Sequence, residues 1–205
     1  MLLPATVANW RHLDLPGFLE TEQVERLLQS CDRTRSNIGG RRDYAILLLL
    51  ARLGLRAHEV RHLTLDGIKW ASGAVLIRGK GGREDRLPLP SDVGRAVAAY
   101  LKAGRPPCSC RRVFVRLLAP HEGLTSSTIA SVVERALARA QISAPHKGAH
   151  LLRHSLATRM LRGGASLTQI GHILRHQRTD TTEIHARVDQ NALRALAPPW
   201  PGGVQ

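Results

Sequence analysis

The stretch "HLLRH", residues 150–154, places His150 and Arg153 three apart at the start of a helical pattern, so their side chains share a face. Aimed at one phosphate, a guanidinium binds the non-bridging oxygens while an imidazole gives or takes a proton. Alone, the pair is an ordinary basic helix face. Other cations extend it. Arg56 stands in "LGLRAHEV", just after an apolar helix that Gly54 closes; by itself it is a solvated or capping arginine. Lys80 lies in the turn of "RGKGGRED". A lysine on a short turn can reach into a groove and protonate a leaving oxygen if cationic neighbours lower its pKa. A Gly-Gly turn with an exposed lysine is the plainer reading. "ILRHQRTDTT" supplies His176.

Helices must position most of these residues. "LETEQVERLLQSCD" puts Val24, Leu27, Leu28 and Cys31 at helical spacing, with Thr21 available as a cap. "GGRRDYAILLLLARLG" predicts a central helix ended by Gly54, and "RAHEVRHL" a short one after it. From residue 66 the period changes. "GAVLIRGKGGREDRLPLP" alternates like a hairpin around a Gly-rich turn, with Pro88 marking an edge strand. A helix over 91–102 follows, and "RRVFVR" is a further short strand. Ile129, Val132, Val133, Ala136, Leu137 and Ala140 predict one helix face; helices near 150–162, 166–175 and 180–188 complete the pattern, with Gly163-Gly164 as a stop. The expected class is α+β, mainly helical with a small antiparallel sheet.

The composition narrows the chemistry. Thirty Lys+Arg face 16 Asp+Glu, a formal charge of +14, and only Lys69, Lys80, Lys102 and Lys147 are lysines. Arginine forks grip phosphate oxygens in pairs, which points to nucleic acid as partner; arginine codons favoured by a GC-rich genome, or scattered charge that aids solubility, are the plainer accounts. Cys31, Cys108 and Cys110 make no disulfide framework, and C-x-C lacks the usual zinc spacing. The longest apolar run, residues 45–51, is too short to cross a bilayer. With no secretory signal, the expectation is a cytoplasmic protein without membrane contact.

"LGLRAHEV", "GKGGRED", "HLLRHSLAT" and "ILRHQRTDTTEIHARVD", in this order, resemble the catalytic domain of the tyrosine recombinase (phage integrase) family. The likeness runs over residues 19–196, between an irregular segment 1–18 and a tail 197–205. It implies a DNA strand transferase that needs no metal, ATP or other cofactor. A tyrosine attacks the phosphodiester to give a 3′-phosphotyrosine, and a 5′-hydroxyl rejoins the strand. Carried over, Arg56 and Arg153 clamp the phosphate and Lys80 protonates the leaving oxygen. His150 serves as acid/base and His176 hydrogen-bonds the phosphate.

The resemblance fails at one position. Nine residues after His176 the nucleophilic tyrosine is expected; "TTEIH" has His185 there, and the only tyrosines are Tyr44 and Tyr100, outside the motifs. Imidazole is nucleophilic, but it is shorter than a phenol, and about 1 Å of misplacement can cost a hundredfold. Impaired cleavage is the expectation. The family's separate N-terminal DNA-binding domain is also expected to be absent. The partners implied are double-stranded DNA and other recombinase subunits. A non-catalytic DNA-binding module, or a decoy subunit of recombinase assemblies, is the alternative. RNA binding finds little support, because aromatic residues for stacking are scarce (3%).

Overall fold

An unbroken apolar run from Ala45 to Leu50 has no solvent face to offer, so a helix containing it must be covered on all sides. The computed structural model, which describes residues 17–34, 37–79, 82 and 84–175, places this helix, α2 (Ile38–Leu53), at the centre. All six residues of the run are at most 1% exposed. Helices α1 (Thr21–Gln29), α4 (Ser91–Ala103), α5 (Ser126–Arg139) and α6 (Ala149–Arg162) pack around α2. The expected face of α5 is buried from Ile129 to Leu137, with Ala140 half-buried beyond its end. The cap of α1 is Glu20, not Thr21: Gln23 Oε1 accepts the Glu20 N–H at 2.9 Å, which moves the helix start one residue earlier.

The hairpin forms as β2 (Ala74–Arg78) and β3 (Glu84–Pro88), antiparallel, with Ile77 opposite Asp85 and Val75 opposite Leu87. A two-residue strand, β1 (Ile68–Lys69), adds to the other side of β2 and makes three strands in the order β1-β2-β3. Two residues are too short for an alternating pattern to register in sequence. Pro88 lies on edge strand β3, as its missing N–H requires. Asp85 and Leu87 occupy the half-buried side of that strand; Glu84, Arg86 and Pro88 face solvent.

"RRVFVR" is not a strand of this sheet. It makes isolated bridges, Thr64 with Arg112 and Val115 with Gly123. Phe114 instead goes into the core, stacked on Tyr100 at 5.5 Å between ring centroids. A few backbone bonds, to Leu63, Leu65, Glu122 and Leu124, are supplemented by one side chain. Arg105 donates to the carbonyls of Pro106, Cys110, Arg112 and Val113, at 2.5–3.4 Å.

The candidate site is built where α2 stops. Gly54 caps α2 in the left-handed region (φ 57), and α3 (Ala57–His62) begins at once, packing on α5 and β2. Helix α7 (Leu167–Leu174) docks on α6 through Ile170 and Leu174 against Leu156 and Ala157. The expected helix near 180–188, the segment 1–16 and the tail 197–205 lie outside the described residues.

Gly54 is needed twice over. Its φ suits glycine, and a Cβ there would sit 2.6 Å from Leu174 Cδ2 and 3.0 Å from Leu156 Cδ2. Gly73 has the same backbone (φ 56) with open space around it. Gly73→Ala should therefore cost only the left-handed term, about 1–2 kcal/mol, while Gly54→Ala should cost more. Thermal unfolding of the two variants checks this, at about 2–4 °C per kcal/mol for a chain this size. Equal losses would mean that the close packing at Gly54 relaxes freely.

Candidate active site

Arg56, just past Gly54, is the N-cap of α3, and Glu59 is its partner three residues on. One Glu59 oxygen, Oε2, accepts the Arg56 backbone N–H at 2.8 Å; the other, Oε1, accepts Arg56 Nη1 at 3.1 Å. A single carboxylate thus caps the helix and orients the arginine. The Arg56 side chain keeps 27% of its surface open, whereas that of Glu59 keeps 2%. Burial pushes the Glu59 carboxyl up most strongly. Arg175, the Arg56 backbone N–H, and the Arg56 and Arg153 guanidiniums together outweigh it and hold the group below the usual carboxylate value.

Arg153 comes to the same corner from α6 and is 2% exposed. Its Nη1 donates to Gly54 O at 2.5 Å, and its Nη2 donates to Leu174 O. These carbonyls belong to the ends of α2 and α7, where helical geometry leaves acceptors unpaired and the helix dipole is negative. A buried cation therefore caps two helices, using two of its five N–H donors. Burial, then the Arg56 and Arg175 charges, lower its pKa to about 9, with Glu59 opposing. It remains charged at neutral pH, in a corner short of negative charge.

His150, one turn before Arg153, is exposed. Desolvation, then Arg153, Arg56 and His58, hold its imidazole below the ordinary value. Since the residue as a whole is open to solvent, the cationic neighbours are the firmer of these causes. The shift favours a neutral ring at pH 7, ready to accept a proton. His154 lies one turn further, its ring centroid 6.1 Å from that of His150. Burial, His150, Arg153 and His146 hold His154 down to about 4. Nε2 of His58 is buried with no hydrogen-bond partner among the described residues.

The structure thus brings together three of the residues chosen from sequence: Arg56, His150 and Arg153. Lys80, His176 and His185 lie outside the described residues. Glu59 and Arg175 are additions that the sequence reading missed. Glu59 had a signal: a carboxylate three residues after a helix cap is the second half of a capping box. Arg175 had none, because its partners Glu59 and Asp85 are about a hundred residues away. Neither tyrosine is placed for attack. Tyr100 is fully buried, with its hydroxyl accepting the Val115 N–H at 3.4 Å, and Tyr44 lies ten residues before Gly54, about 15 Å along α2.

No group of three or more metal-ligating side chains occurs among the described residues, and no described helix is long and apolar enough to cross a membrane. An open depression of about 800 Å³, lined by Arg61, Cys108, Cys110, Arg112 and His121, shares none of the site residues. The convergence of charged groups, not concavity, locates this site.

The fold is that of a tyrosine recombinase catalytic domain. Residues 17–192 match the phage integrase family, and the chain belongs to it. Over 200 residues it is 51% identical to the putative integrase/recombinase y4rA of Sinorhizobium fredii, an alignment covering 97% of this chain and 48% of that protein. A second protein of that organism, the putative integrase/recombinase y4gC, is 36% identical, with 92% of this chain and 97% of the relative aligned. Among solved structures, the XerH site-specific recombinase bound to palindromic difH substrate, a post-cleavage complex, has a TM-score of 0.77 at 25% identity, covering 92% of this chain and 54% of that one. The chain spans about half the length of y4rA and of the XerH chain.

The half-buried His154 sets a pH dependence. Folding lowers the His154 pKa from 6.5 to about 4, so below pH 6.5 the unfolded chain binds a proton that the folded chain refuses. Stability is full above pH 6.5 and is lost as the pH falls toward 4. The downward shifts at His58 and His150 have the same sign. Urea midpoints should decline through this window, and His154→Gln should flatten the decline. An unchanged slope in that variant would exclude His154 as a source.

Proposed function

We propose that the chain binds double-stranded DNA as a tyrosine-recombinase-type strand transferase domain, gripping one phosphodiester at the Arg56–Arg153 corner. The observation that carries this is the charge imbalance there. Arg56 is oriented yet partly open, Arg153 is fixed behind it, and His150 stands neutral beside both. A phosphate would supply the missing negative charge and draw on donors already in place, which is how charge developing on a phosphorane is stabilised. Lys80 would protonate the leaving 5′-oxygen and His176 would bond a non-bridging oxygen. The XerH neighbour, solved with its difH substrate, supports the reading.

Cleavage is the impaired step, because His185 stands where the attacking phenol is expected. Binding would survive the change, since phosphate capture depends on the cationic corner. A non-cutting subunit that joins recombinase assemblies on DNA is the reading that this separation of binding from cutting favours.

Two measurements test this. Binding to a short duplex should weaken steeply with salt, and Arg56→Ala should weaken it further, by about tenfold for a lost charged contact. On a nicked duplex bearing a candidate recombination site, His185→Tyr should give a covalent protein–DNA band on a denaturing gel where the natural chain gives none. An adduct mapped to His185 in the natural chain would instead make histidine the nucleophile.

A further inference from the structure

Arg175 sits in a backbone conformation that an arginine seldom adopts. It closes α7 at φ 56 and ψ 48, in the left-handed region where the Cβ is crowded and glycine is favoured. Its side chain is only 9% exposed and reaches three elements. Nη2 donates to Glu59 Oε2 on α3 at 2.9 Å, and Nη1 donates to Ile173 O on α7 at 3.3 Å. Nε lies 4.0 Å from Asp85 Oδ2 on β3, within ion-pair range but beyond a hydrogen bond.

The charge count gives this contact a purpose. Among the described residues, three guanidiniums, those of Arg56, Arg153 and Arg175, stand against two carboxylates, Glu59 and Asp85, an excess of one positive charge. Without Arg175 the two sides cancel. Glu59 would then have Arg56 as its sole side-chain ion-pair partner among the described residues, and could close on that guanidinium bidentately, masking the donors a phosphate would use.

We propose that Arg175 is a positioning residue that takes up the charge of Glu59, leaving Arg56 available to an anion and tying β3 of the hairpin to α3. The inference rests on the DNA reading above and adds to it a residue that touches no phosphate. Glu59 is the group through which it acts. Facing Glu59 are Arg56 and His58 from α3, Arg153 from α6 and Arg175 from α7, with Asp85 of β3 on the far side of Arg175. Among the charged neighbours Arg175 does most to keep Glu59 ionised.

Arg175→Gly relieves the backbone and should fold, with circular dichroism as the check; Arg175→Lys keeps the charge without the fork. The full chain and both variants would be titrated with a fluorescent duplex across a salt series, and unfolded across acid pH. We expect Arg175→Gly to bind about tenfold more weakly, with the slope against log salt unchanged. Its acid unfolding should move to higher pH, because Glu59 loses its main counter-charge and takes a proton earlier; Arg175→Lys should fall between. Unchanged affinity together with an unchanged acid limb would overturn the proposal. So would a salt slope reduced by about one, which marks a phosphate contact. If the natural chain bound no duplex, the DNA reading would fall, while the acid limb would still report whether Arg175 holds Glu59.

Discussion

A buried guanidinium joined to two helix ends holds the functional half of this molecule together. Arg153 donates to Gly54 O and Leu174 O, so α6, α2 and α7 meet at one side chain. Such a charge tolerates burial only with compensation, and here it comes from the negative ends of two helices as well as from Glu59. The turn at Gly54 is what brings the α2 carbonyl to Arg153 and, two residues later, presents Arg56. Backbone conformation, helix termination and site assembly are therefore one event at this corner.

From that joint the electrostatics follow. Burial first, and then the mutual repulsion of crowded cations, lower the groups here: Arg153 to about 9, and His150, His154 and His58 below their ordinary values. Glu59 is the buried exception, kept ionised by the same crowd. A corner of this kind is poised for an anion, and its histidines stay neutral acceptors instead of adding to the charge. The surplus is assembled from residues on α3, α6 and α7, so no single segment carries it.

Much of this was legible in the sequence where local rules dominate. The apolar run of α2, the Gly54 stop, the face of α5 and the Gly163 end of α6 follow from periodicity and capping alone. The misreadings have physical causes. Thr21 looked like a cap, but Gln23 bonds the Glu20 N–H instead. "RRVFVR" alternates like a strand, yet Phe114 is drawn into the core by Tyr100 and the backbone bonds scatter between Leu63, Leu65 and Glu122. Arg56, His150 and Arg153, which the structure brings to one corner, could be singled out because their motifs are local. Arg175 was not, because a left-handed arginine paired to a carboxylate 116 residues earlier leaves no trace in spacing.

The segment after α4 shows another way of ordering chain. Four carbonyls between Pro106 and Val113 converge on the guanidinium of Arg105, which acts there as a strand partner would in a sheet. Regular structure spreads its bonds over many residues, so that each can be lost singly. Here a large share falls to one side chain, beside the backbone bonds to Leu63 and Leu65 and the Arg111–Asp66 ion pair. Replacing Arg105 would therefore loosen four carbonyls at once, while the backbone bonds still hold the segment to the rest of the fold.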